Sequence, residues 1–190
     1  PTLATSSAAS DVYKRQFPDF PSEIRAPLGT TYGVSSYQIQ FAAKDIYTPG
    51  DTPEVLVCFN PAALKVNLDV VNKGGLIIVN EDEFTDKNLK KAGFDGNPLD
   101  PSSDTLKDFR VHKIPITTLT LQALDEMDMG HGDKLRCKNF LALGVVSWLF
   151  SRPLEPIEKF LNKKFGKKPQ VLEANLKVLH AGFNLSLIHI

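Results

Sequence analysis

Residues 50–80, GDTPEVLVCFNPAALKVNLDVVNKGGLIIVN, decide the fold of this chain. Val55-Leu56-Val57-Cys58-Phe59 is an unbroken apolar run, which suits a strand buried on both faces of a parallel sheet. Asn60-Pro61 then stops the strand and opens a helix. Asn60 has the side chain of an N-cap, and proline is tolerated at the first helical position. Ala62, Ala63, Leu64, Val66, Leu68 and Val71 are expected to face the sheet. Gly74-Gly75 turns the chain, and Leu76-Ile77-Ile78-Val79 reads as the next buried strand. Ligands on open parallel sheets sit beyond the carboxyl ends of strands, and Asn60 and Asn80 both stand at such ends.

Working outward, residues 17–31 are rich in proline and small side chains and read as loop. Residues 34–41 alternate Val34, Tyr37, Ile39 and Phe41, a strand pattern, and residues 17–41 are expected at the edge of the sheet. Residues 85–92 form a short helical candidate stopped by Gly93, and residues 97–104 are a turn-rich loop. Residues 109–116 predict a strand and 117–127 a helix, broken at 129–133. Residues 137–150, CKNFLALGVVSWLF, are too long for a strand and too short to cross a bilayer, so they read as a buried central helix. Residues 156–165 place Ile157, Phe160, Leu161 and Phe165 on one stripe, with Gly166 as stop. Residues 169–182 repeat that pattern, with Glu173 and Lys177 spaced to pair outside. Alternating strands and helices followed by a helical tail define an α/β layered domain. Its sheet is largely parallel and flanked by helices, in a Rossmann-like arrangement.

The 190 residues suit one domain, and 42% of them are hydrophobic. Twenty-two basic residues balance 22 acidic ones, so neither nucleic acid nor an anionic membrane is indicated as a partner. No apolar run reaches the roughly 20 residues that span a bilayer. Two distant cysteines are too few for an iron–sulfur cluster, which takes about four thiolates, and they point to a reducing, cytoplasmic setting. Residues 1–16 and 185–190 lack periodicity and are set apart as non-native or disordered tails; the domain body is residues 17–184.

Few residues offer chemistry. Glu23 and Arg25 stand two apart in the proline-rich loop before Gly29, either as a polar clamp on a ligand or as solvated charge. Asn60 is either a ligand contact at a strand end or an N-cap only. Arg136, Lys138 and Asn139 gather at the start of the central helix, where backbone N–H groups attract anions; ordinary surface charge explains them equally well. Cys137 at that helix start is a candidate for a lowered thiol pKa, but no partner base stands near it in sequence and it reads as structural. Lys163, Lys164, Lys167 and Lys168 bracket Gly166 as a solvated helix end. The four histidines show no metal-ligand spacing, and a G-x-G-x-x-G phosphate loop is missing. No catalytic residue and no metal ligand is therefore assigned.

Several ordered blocks resemble one family: FPDFPSEIRAPLGTTYGVSSYQIQFA, IYTPGDTPEVLVCFNPAALKVNLDVVNKGGLIIVN, NLKKAGF, RCKNFLALGVVSWLFSRPLEPIEKFLNKKFGKKP and EANLKVLHAGFN. They are similar to the γ-type domain of 2-oxoacid:ferredoxin oxidoreductases, above all to the N-terminal part of the α subunit of the 2-oxoglutarate type. The likeness runs from about Phe17 to Asn184. It implies a whole enzyme that decarboxylates a 2-oxoacid on thiamine pyrophosphate with Mg, sends electrons through iron–sulfur clusters to ferredoxin, and passes the acyl group to coenzyme A. It implies as partners a thiamine-binding α domain downstream in the same chain, a β subunit and ferredoxin. In this scheme the γ-type domain helps cover the coenzyme A entry. Glu23, Arg25, Gly29, Asn60 and Asn139 are the matching positions expected to face that entry, with Asn139 and Asn175 also open to a structural role. The family's upstream glycine-rich strand–turn–helix has no counterpart here, so a fragment inactive on its own, binding no cofactor itself, is expected.

Overall fold

The computed structural model describes the backbone of residues 13–19, 36–42 and 52–189, with side chains over 52–185. Glu23, Arg25 and Gly29 lie outside the described residues. Two strands, β1 (Tyr13–Asp19) and β2 (Ser36–Ala42), pair antiparallel, with Tyr13 opposite Ala42 and Asp19 opposite Ser36. They form a sheet of their own, which corrects the expected placing of residues 17–41 at the edge of the parallel sheet. The strand also takes in Tyr13–Gln16, expected to belong to the tail.

The parallel sheet has the order β3 (Val55–Cys58), β4 (Leu76–Asn80), β5 (Arg110–Ile114). All five residues of the central strand β4 are buried, as an apolar run sandwiched on both faces must be. On β3 only Cys58 is fully buried. The run 55–59 therefore lies on an edge strand, not the doubly covered one its composition suggested. Helix α1 (Pro61–Asn67) follows β3 and passes through a 3₁₀ turn, Leu68–Val70. Ala62, Leu64 and Val71 are buried as expected, but Val66 is 51% exposed. The Gly74-Gly75 turn suits each glycine differently. Gly74 has φ +78, open to a residue without Cβ, while a methyl on Gly75 would lie 2.7 Å from the Asn72 carbonyl oxygen. Helix α2 (Asp86–Lys91) closes on Gly93 at φ +73, the expected stop.

The chain divides into two compact units, Pro1–Ile78 with Asp86–His112, and Val79–Thr85 with Lys113–Ile190. The second is mainly helical. It contains α3 (Ile116–Ala123), α4 (His131–Arg136), α5 (Lys138–Leu149), α6 (Glu155–Phe165) and α7 (Pro169–His189). Helix α5 is the predicted central helix, and its Leu141, Ala142, Gly144 and Val145 are buried, as are Leu161 of α6 and Ala174, Val178 and Leu179 of α7. Phe160 departs from the expected stripe: it is 53% exposed while its neighbour Leu161 is fully buried. The break expected at residues 129–133 gives way to helix α4, which Gly130 precedes and which holds Gly132 in its first turn; α7 continues past Gly182 to His189. Lys177 pairs with Glu126 at 3.8 Å rather than with Glu173.

Candidate functional site

The turn from β3 into α1 lies at a strand carboxyl end, where such folds put ligands. Asn60 has extended backbone (φ −156, ψ 165), and its Oδ1 accepts a hydrogen bond from the Ala63 amide at 2.8 Å. That is N-cap geometry: the side chain satisfies one of the amides the first helical turn leaves free, and Pro61 removes another. Asn60 therefore has a structural duty here.

The equivalent position after β4 behaves in the same way. Asn80 is completely buried. Its Nδ2 donates to Thr117 Oγ1 at 3.1 Å, and its Oδ1 accepts from the Thr117 amide at 3.4 Å. Two residues on, Asp82 accepts the Thr118 amide at 2.8 Å through Oδ2 and the Thr118 hydroxyl at 2.9 Å through Oδ1. Helix α3 starts after Pro115, which supplies no side-chain cap. Asn80 and Asp82 thus cap α3 from another part of the chain, and the helix start is filled by protein groups rather than left for an anion. Nothing local in the sequence marks Asp82 for this role, because its partner lies 36 residues away.

At the start of α5 the sequence left a phosphate seat open. The chain arrives there already coiled: Cys137 has φ −78 and ψ −13, and its amide donates to the Lys134 carbonyl at 3.0 Å. Arg136 pairs with Asp133 at 2.7 Å, and Lys138 with Glu83 at 3.6 Å. The cations of that cluster are engaged by carboxylates, which argues for the structural alternative. Asn139 is exposed on α5, and Asn175 is buried on α7. The Cys137 thiol is pushed up by burial and then by Asp133, which overturns a lowered pKa at this position. Burial alone pushes Cys58 up to about 12. Neither thiol is a nucleophile at neutral pH.

The first unit also holds a cleft of about 490 Å³ whose lining includes Lys65, Phe94, Asn97, Asp100 and Ser103. Its polar groups close on one another. Lys65 Nζ donates to the Gly93 carbonyl and sits 5.2 Å from the Phe94 ring centroid. Asn97 accepts the Leu99 amide, Asp100 accepts from Ser102, and Ser103 accepts the Thr105 amide. Lys65 is in the last turn of α1, at the end of the helix remote from Asn60, so the cleft is not at the strand terminus. Among the described residues no group of three metal-ligating side chains occurs, and no helix is long and apolar enough to cross a membrane.

Together these features define an α/β layered domain whose polar strand ends brace its own helices rather than forming a reacting set. The chain belongs to the pyruvate ferredoxin/flavodoxin oxidoreductase family, whose model matches residues 2–185. It is 51% identical over 167 residues to 2-oxoglutarate oxidoreductase subunit KorA of Mycobacterium tuberculosis, covering 88% of this chain and 25% of that protein. The chain thus spans about a quarter of that relative. A solved structure of 2-oxoglutarate:ferredoxin oxidoreductase from Magnetococcus marinus, with 2-oxoglutarate, coenzyme A and succinyl-CoA bound, matches with a TM-score of 0.63. Its identity to this chain is 25%, over 94% of this chain and 26% of that one. The γ subunit of a keto/oxoacid ferredoxin oxidoreductase from Geobacter sulfurreducens matches at 15% identity and a TM-score of 0.58. The match covers 95% of this chain and 84% of that subunit, which bears on the fold alone.

Proposed function

We propose that this chain is the γ-type domain of a 2-oxoglutarate:ferredoxin oxidoreductase. The enzyme would decarboxylate 2-oxoglutarate oxidatively, transfer the succinyl group to coenzyme A and deliver the electrons to ferredoxin. The observation that carries this reading is the 51% identity over 167 residues to a 2-oxoglutarate oxidoreductase subunit. In the complete enzyme, thiamine pyrophosphate with Mg would supply the electron sink for decarboxylation and iron–sulfur clusters the route for the electrons; no residue of this domain is assigned to hold either group. A downstream thiamine-binding α domain, a β subunit and ferredoxin are the partners, in a cytoplasmic enzyme. This domain supplies no catalytic group; its share is to cover the coenzyme A entry and to help assemble the complex, with Glu23, Arg25, Gly29, Asn60 and Asn139 facing the carrier. Arg25 is the sharpest of these, as a guanidinium suited to the carrier's phosphates. Arg25→Ala in the complete enzyme is expected to weaken coenzyme A use by about 1–3 kcal/mol, read as a raised KM for coenzyme A. An unchanged KM removes the contact.

One observation favours a second reading, an assembly scaffold without ligand contact: Asn60 is engaged as a cap and the Arg136 and Lys138 cations are paired. On that reading Arg25→Ala disturbs subunit association while assembled enzyme keeps its coenzyme A affinity. Size-exclusion profiles together with coenzyme A titration separate the two.

A further inference from the structure

Residues 159–168, KFLNKKFGKK, carry five lysines and no carboxylate, in a chain whose total charge is zero. The charge is therefore a local field, not a global one. Phe160, Lys163, Lys164 and Lys167 stand at i, i+3, i+4 and i+7, which puts them on one side of α6 and its terminal turn. Leu161 points the other way and is fully buried. All five lysines are exposed, and none makes an ion pair with a described residue. Among them Phe160 exposes 53% of its surface, one of three large apolar side chains so exposed among the described residues. Lys164 is held in place: its Nζ lies 5.4 Å from the Phe160 ring centroid and 5.5 Å from that of Phe165.

We infer that this face of α6 is a docking surface for a protein partner whose own contact face is rich in carboxylates and offers an apolar notch to Phe160. An exposed aromatic ringed by cations has the layout of an interface anchor inside a charged rim. Lys164, stacked on two rings, loses less side-chain freedom on pairing with a carboxylate than a free lysine does. The same geometry disfavours the other anionic partners. Single-stranded nucleic acid needs open aromatic faces for base stacking, and Lys164 stands over both rings. An anionic bilayer needs an apolar helix face to insert, and that of α6 is committed inward through Leu161.

The test uses the 190-residue chain and a fluorescein-labelled peptide of repeating Glu-Glu-Leu, with the Gln-Gln-Leu peptide as neutral counterpart. The Glu peptide is expected to bind with an affinity that falls steeply with salt, and the Gln peptide at least about tenfold more weakly. Lys163→Glu combined with Lys167→Glu should slow association and flatten the salt dependence. Phe160→Ala should mainly speed dissociation. Lys73→Glu, on another exposed lysine, should change neither. Far-ultraviolet circular dichroism verifies that each variant is folded, and Lys163→Gln with Lys167→Gln repeats the charge loss should the reversed pair unfold. Equal binding of the two peptides overturns the proposal, as does an effect of Lys73→Glu matching that of the α6 variants. Tighter binding of a charge-matched oligothymidylate, or of phosphatidylserine vesicles, would overturn it in favour of nucleic acid or membrane.

Discussion

Gly144 of α5 and Gly182 of α7 let the two helices meet backbone to backbone. A methyl at Gly144 would collide with the Leu179 carbonyl oxygen and sit 2.7 Å from the Phe183 amide nitrogen; one at Gly182 would collide with the Leu141 carbonyl oxygen and sit 2.8 Å from its carbon. The obstacles are main chain, which cannot swing aside like a side-chain tip. Gly144→Ala and Gly182→Ala should each destabilise by about 1–3 kcal/mol or more through overpacking, although alanine is the better helix former. Urea unfolding of each variant checks this; a gain in midpoint would show that the helices separate easily.

Asp82 gives a second prediction. It accepts both the amide and the hydroxyl of Thr118 at the start of α3, where Pro115 supplies no side-chain cap. Asp82→Ala should cost about 1–2 kcal/mol, the range of a lost cap, and Thr118→Ala less, because its amide bond to Asp82 remains. The comparison of the two midpoints is decisive: equal losses would show that the hydroxyl, not the helix amide, carries the interaction.

Asn60 separates capping from ligand contact. Asn60→Ala should lose about 1 kcal/mol of stability, while Asn60→Asp, which retains an acceptor at the helix start, should lose much less. In the complete enzyme, a coenzyme A KM raised in the Asp variant as well as the Ala variant would assign Asn60 a contact beyond the cap.

Ser151 sits between α5 and α6 with φ 50, the only non-glycine residue of positive φ among those described. Its neighbour Arg152 donates from its amide to the Ser147 carbonyl at 2.6 Å, the long bond of a Schellman ending. Ser151 occupies the left-handed position that glycine usually takes, and its side chain is exposed. Ser151→Gly should therefore stabilise by roughly 0.5–1 kcal/mol, relief of the left-handed cost less the extra freedom of the unfolded chain. Thermal melting of the two proteins tests it.

The buried thiols set a pH dependence. Below about pH 8.5 both folded and unfolded chains keep the Cys58 proton, and stability does not depend on it. Above that the unfolded thiol ionises while the folded one, pushed up to about 12, does not, so stability is lost as pH rises through this window. Cys137 acts in the same direction. The stability difference between the native chain and Cys58→Ala should shrink by up to about 1.4 kcal/mol per pH unit in that range. A constant difference from pH 8 to 10 would show that Cys58 is solvated.

The sequence conveyed order and type of element well where one physical signal dominated. Gly74 and Gly93 mark boundaries because a residue without Cβ takes their positive φ at no steric cost, and the run 137–150 has too much apolar surface to lie anywhere but inside. It failed where the outcome depended on neighbours distant in sequence. Val55–Cys58 is as apolar as Leu76–Val79, yet one lies at the edge of the sheet and the other at its centre, which only the strand order decides. Phe160 fits a buried stripe as well as Leu161 does, and Glu173 is as well spaced for Lys177 as Glu126 is badly placed in the linear chain. Of the site, Asn60 was legible as a cap from the Asn-Pro pair, whereas the clasp of Asp82 on Thr118 has no local signature.

With both native thiols enclosed, the described surface is chemically silent toward maleimides. A single cysteine engineered at an exposed position such as Phe160 would then be the one reactive handle on that surface. A spin label or fluorophore placed there would report directly on whatever approaches α6, without first removing either natural sulfur.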